Sequence, residues 1–211
     1  MAKKFALIFS SLLCLLCAFI AYSLAFFGTD LKPLRTYPVQ NYPQNVYNAL
    51  IAAEDPNFEE SFLRRNACIV SDKRCGSSLR QMAVKHLTFK QKTKLRSPSF
   101  VLHVIVAMPR ANLVVKDTQF LDYILDQSYF GRQVSGIRAA LHVHFETPLT
   151  NVTIAQAATL SALLKSPSSL SANQDRWRNR PVKILNTMHA KKFITSDQLD
   201  TAIKETASNF F

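Results

Sequence analysis

Cations dominate the residues of this chain that could do chemistry. Lys and Arg number 26 against 14 Asp and Glu, a formal charge of +12, and between Arg64 and Lys116 stand twelve bases with Asp72 as the one acid. Such a concentration suits an anionic partner, whether nucleic acid, anionic lipid or a phosphorylated substrate, although a solvated basic face has the same composition. Taken alone, Glu54-Asp55 at the end of an apolar run is a helix-end surface pair. His103 stands alone in the apolar stretch SFVLHVIVAM, where an imidazole is more often a satisfied core residue than an acid-base group. His142 and His144 have no second pair at ligand spacing, so no metal site is indicated. Cys68 and Cys75 are either a disulfide closing a short loop in an oxidising compartment or two free thiols. Neither G-x-G-x-x-G nor G-x-x-x-x-G-K-[ST] occurs, and the chain has only four glycines. Dinucleotide and P-loop phosphate cradles are thereby excluded, and turn-rich β folds are disfavoured.

The elements that must position these groups are legible in outline. A chain of 211 residues with 48% hydrophobic content builds one domain with a core. After Lys3 and Lys4, Phe5 to Phe27 is 23 residues without a charge, which as a helix would span about 34 Å and cross a bilayer. Residues 1–28 therefore read as a transmembrane anchor, or as a signal peptide cleaved near Ser23-Leu24-Ala25. Either one exports the rest of the chain, which argues against nucleic acid. Cys14 and Cys17 lie inside this segment as small hydrophobes. Pro33, Pro38 and Pro43 mark residues 29–44 as an extended linker, and the domain proper occupies 45–211. Val46, Ala49, Leu50 and Ala53 recur at i, i+3, i+4 and i+7, which predicts a helix that ends at Glu54-Asp55, where Pro56 stops it. Further helices are expected over Ser77 to His86, Val101 to Met108, Gln119 to Phe130, Thr153 to Lys165 and Arg180 to Lys192, with Pro98 and Pro109 as breaks. The fold class is mainly α.

Five segments in order, ALIAAEDPNF (49–58), CGSSLRQMAVKHL (75–87), LDYILDQSYFGRQVSGIRAALHVHF (121–145), TIAQAATLSALLKSPSSLS (153–171) and NQDRWRNRPVKILNTMHAKKFITSDQL (173–199), resemble the peptidoglycan glycosyltransferases, glycosyltransferase family 51. The resemblance covers roughly residues 45 to 202, and YFGRQVSGIRAA (129–140) is its most specific part. It implies a lysozyme-like α-helical domain behind an N-terminal membrane helix, on the outer face of the bacterial cytoplasmic membrane. The activity implied is polymerisation of lipid II, moving a growing glycan from undecaprenyl pyrophosphate to the 4-hydroxyl of an incoming lipid II. An alcohol is a poor nucleophile at neutral pH, so a carboxylate that takes its proton accelerates attack; Glu54 matches the family's catalytic Glu. The pyrophosphate leaving group needs cations and donors preorganised around it; Lys85 matches the family's lysine there, and Ser77, Ser78 and Gln81 match polar residues lining the cleft. Lys92, Lys94 and Arg96 stand near the family's Arg-Lys pair. No cofactor is required by this chemistry, although a divalent cation, Mg or Mn, could assist at the pyrophosphate. The implied partners are lipid II, the membrane and other cell-wall synthesis proteins.

Several positions depart from the family pattern. Pro56 replaces an Arg of the first motif, and EESFLRRN lacks its later His. The stretch between Phe58 and Gly76 is short for the family. Cys75 stands for a Gly, Arg80 for a Thr, Met82 for a Gln and Asp126 for an Asn. The third motif, R-K-x-x-E, should supply a second carboxylate, but no Glu occurs between Glu60 and Glu146, and the position falls near His103, an imidazole able to bind phosphate or exchange protons. This leaves two expectations: a divergent glycosyltransferase with Glu54 as general base, or a catalytically degenerate anchored module that binds lipid II, glycan or a cell-wall synthesis partner.

Overall fold

The computed structural model describes residues 10–19, 21–22, 28–58, 79–91, 98–165, 167 and 174–209. Among them helices dominate, and the β structure consists of an isolated bridge between Tyr129 and Ser135. Residues 10–19 and 21–22 of the apolar N-terminal segment are helical. No helix among the described residues is long and apolar enough to cross a membrane; the remainder of the expected span lies outside them.

Residues 29–44 differ from the extended linker that their prolines suggest. Helix α1 (Lys32–Arg35) carries Pro33 in its first turn, where a fixed φ helps rather than hinders. Leu31, Leu34 and Tyr42 are buried, and Thr29 Oγ1 lies 2.9 Å from Thr88 Oγ1. Apolar surface and polar partners on the domain make this segment part of its packing.

Helix α2 (Gln44–Glu54) ends where its periodicity requires. Val46, Ala49 and Leu50 are buried. Asp55 leaves the helical conformation while its N–H still bonds the Ile51 carbonyl at 2.9 Å. Helix α3 (Leu79–Gln91) runs past His86 because Leu87 and Thr88 continue its buried face. Helix α4 (Pro98–Val114) passes through Pro109 instead of stopping before it. Both Pro109 and Ile105, whose carbonyl loses a partner, are exposed, so solvent can satisfy the freed group.

Beyond α4 come α5 (Asp117–Gln127), α6 (Ile137–Phe145), a 3-10 turn (Leu149–Asn151), α7 (Ile154–Lys165), α8 (Gln174–Ala190) and α9 (Ser196–Asn209). Reciprocal caps open two of them. Thr153 and Gln156 bond each other's backbone N–H at 3.1 Å ahead of α7, and Thr195 and Gln198 do the same at 2.9 and 3.3 Å ahead of α9. Helices α2, α7, α8 and α9 form one packed group, and α3, α4 and α5 another; α6 rests on α5 and α7. The turn from α5 to α6 carries the most specific motif. Gly131 and Gly136 have φ of 82° and 85°, and a Cβ on Gly136 would lie 3.0 Å from the Asp126 carbonyl oxygen. Any other residue at 136 meets both strain and a clash.

Candidate active site

Glu54 sits at the last position of α2, where the chain leaves the group containing α7 and α8. Its side chain is 1% exposed. Among the described residues its Oε1 has no hydrogen-bond partner. Arg180 of α8 brings a guanidinium nitrogen to 3.7 Å from that oxygen, within ion-pair range but too far for a good hydrogen bond. Burial pushes the Glu54 pKa up, while the charges of Lys165 and Arg180 pull it back. A carboxylate so placed is a stronger base than a surface one, and two cations hold it toward the ionised form that a base requires. A buried carboxylate oxygen without a donor costs folding free energy, so its retention in a core-facing position marks a functional candidate.

The other candidates are spread along the chain. Gln81 and Lys85 stand one turn apart on α3, half-buried and exposed respectively, on the side away from Ala83, Val84 and Leu87. Ser77, Ser78, Lys92, Lys94 and Arg96 lie outside the described residues, as do Cys68 and Cys75. His103 is 7% exposed on the face of α4 that holds Val104, Ala107, Met108 and Ala111 in the core. That is the environment of a core histidine. Among the described residues no group of three or more His, Cys, Asp or Glu could hold a metal ion. An open groove of about 420 Å³ lies between the starts of α2 and α7 and helix α9, lined by Asn45, Thr153, Asp197, Thr201 and Glu205 among others. It is at the opposite end of α2 from Glu54, about 13 Å along the helix axis.

Arg180 and Lys165 are charged neighbours of Glu54 that motif reading passes over. Both lie within the matching segments, Lys165 at the end of apolar α7 and Arg180 inside the polar, basic α8, where a base carries no distinguishing signal. Arg80, a departure from the family pattern, has a structural role. It is 1% exposed, donates to the Phe58 carbonyl at 2.8 Å and to Asp117 Oδ1 at 3.1 Å, and stacks 3.7 Å over the Phe58 ring. The Leu79 N–H donates to Asp55 Oδ2 at 3.3 Å. These contacts fasten the residues after Glu54 to the first turn of α3, and so set Glu54 relative to Gln81 and Lys85. A second polar network ties residues 37–47 to α5. Asp126 accepts hydrogen bonds from Tyr37, at 2.9 Å, and Tyr42, and Asp122 accepts from Tyr47 and from the Gln40 N–H at 3.0 Å. Burial raises Tyr37 and Tyr123 to about 12, and it raises Tyr42 and Tyr47 as well, with their aspartate partners adding to the effect.

A profile of the Transglycosylase family matches residues 28–189. The chain is 28% identical over 181 residues to penicillin-binding protein 1A of Rickettsia typhi, an alignment covering 79% of this chain and 23% of that protein. Penicillin-binding protein 1F of Bacillus subtilis is 29% identical over 182 residues, covering 78% and 24%. Penicillin-binding protein 1A of Neisseria gonorrhoeae is 30% identical over 180 residues, covering 79% and 22%. The chain thus spans about a quarter of the length of these relatives.

Proposed function

This chain belongs to the transglycosylase family, and from that premise we propose that it is a peptidoglycan glycosyltransferase polymerising lipid II at the outer face of the cytoplasmic membrane, with Glu54 as general base. One observation supports the assignment of the base above all: Glu54 is buried, lacks a hydrogen-bond donor on Oε1 among the described residues, and lies beside Arg180. In the proposed step Glu54 takes the proton from the acceptor 4-hydroxyl as that oxygen bonds the donor anomeric carbon. The bond from that carbon to the undecaprenyl pyrophosphate oxygen breaks, and the leaving group carries away the electron pair. Lys85 and Gln81, with Ser77, Ser78, Lys92, Lys94 and Arg96, are the groups proposed to bind the pyrophosphate and sugars. A Mg or Mn ion would accompany the pyrophosphate of the substrate.

The core position of His103 favours a second possibility, a degenerate module that binds lipid II, glycan or a cell-wall synthesis partner without turnover. Labelled lipid II given to the purified full chain separates the two. An enzyme makes glycan polymer, and Glu54→Gln lowers that rate by about 100-fold or more. Lipid II binding without polymer rules the enzyme out and leaves the module.

A further inference from the structure

The groove at the start of α2 is acidic in a molecule that is otherwise basic. Every residue that lines it is among the described ones. Its floor is apolar, with Val152 and Ala202 buried and Ile154 half-buried. On the α9 side Asp197, Thr201 and Glu205 recur at intervals of four, which places them along one face of that helix. The two carboxylates therefore stand about 12 Å apart along the helix axis. Helix α9 holds Asp197, Asp200 and Glu205 against one base, Lys204, in a chain of formal charge +12.

Among the described residues Asp197 and Glu205 form no ion pair. Glu205 Oε1 accepts a hydrogen bond from the Thr153 hydroxyl at 2.6 Å, which fixes this side chain at the groove wall. An anionic ligand is repelled here, and a purely apolar one would strip water from two acids without supplying donors. Two bases with apolar surface between them suit both the acids and the floor. In an extended segment residues i, i+2 and i+4 face one side, and i and i+4 are about 13 Å apart, close to the spacing of the two acids. We propose that this groove docks an extended segment of another protein with the pattern base-x-apolar-x-base. Its bases pair with Asp197 and Glu205, and its apolar side chain covers Val152, Ile154 and Ala202. The groove lies at the opposite end of α2 from Glu54, so the contact holds whether or not the chain turns over lipid II.

Two peptides of one composition test the docking. Rhodamine-tagged Lys-Thr-Val-Thr-Lys carries the pattern, Lys-Lys-Thr-Val-Thr breaks it, and each is titrated by fluorescence anisotropy against the purified full chain at low salt. The patterned peptide is expected to bind about fivefold or more tightly than the scrambled one and to weaken as ionic strength rises. Asp197→Asn combined with Glu205→Gln should weaken it about tenfold. The Gln keeps an acceptor for Thr153, so the groove wall is retained. Thr201→Arg, at an exposed position between the two acids, should weaken it as well by adding a base there. Equal binding of the two peptides, no binding at about 1 mM, or an affinity that neither variant changes overturns the proposal. So does self-association of the full chain that both variants abolish, because a second copy then fills the groove.

Discussion

At the scale of single residues, Glu54 is held in a position that works against the fold. Its pKa is raised by burial, so above the ordinary carboxyl range the folded state binds more protons than the unfolded state, and stability falls as pH rises from there through the folded value. Glu54→Gln is therefore expected to raise the melting temperature at neutral pH, with the gain shrinking toward pH 4, as calorimetry at the two pH values would show, even while, under the proposed function, it lowers the polymerisation rate by about 100-fold or more. A residue that merely supported the fold would lose stability on the same change. In the proposed reaction Arg180 acts through Glu54. Without its charge the carboxyl pKa climbs further, so Arg180→Ala should shift the acid limb of the polymerisation rate profile to higher pH, and Arg180→Lys should restore most of it. An unmoved acid limb in Arg180→Ala would mean that the ion pair at 3.7 Å does not tune the base.

At the scale of elements, Arg80 is the joint between helix groups. Arg80→Ala is expected to cost about 3 kcal/mol, mainly from the cavity and the orphaned Phe58 carbonyl, because half-exposed Asp117 can return to water. Arg80→Met, which keeps the volume, should recover part of that loss in chemical denaturation. Such a joint is hard to read from sequence, since Arg80 looks like a lost polar motif residue until Phe58 and Asp117 are seen around it. Where apolar spacing alone decides, the sequence is informative: Val46 to Ala53 places the end of α2, and with it Glu54, correctly. Where solvent exposure decides, it is not, and Pro109 inside α4 is the example, because its cost depends on which way Ile105 faces. Helix α9 had a readable capping pair in Thr195 and Gln198 and a matching repeat of Leu199, Ala202 and Ile203, a signal weakened by the charged residues between them.

At the scale of the whole molecule, buried phenols govern behaviour in alkali. Tyr37 and Tyr123 are raised to about 12, and Tyr42 and Tyr47 are raised too. Their contribution is complete below the unfolded tyrosine value near 10 and is lost as pH climbs through the folded values. Urea midpoints are thus expected to hold to about pH 9 and fall steeply between about pH 10 and 12, and less steeply in a Tyr37→Phe, Tyr42→Phe double variant. This network was invisible in the sequence because residues 29–44 carry the prolines of a linker, and only the fold shows that Tyr37 and Tyr42 face Asp126. The packing of α2 has a further consequence for the order of maturation. Its partners α7 and α8 are made long after it, and Arg180 leaves the ribosome well over a hundred residues after Glu54. A nascent chain carries Glu54 without the helices that enclose it, so the desolvated base comes into being only when distant segments close over it.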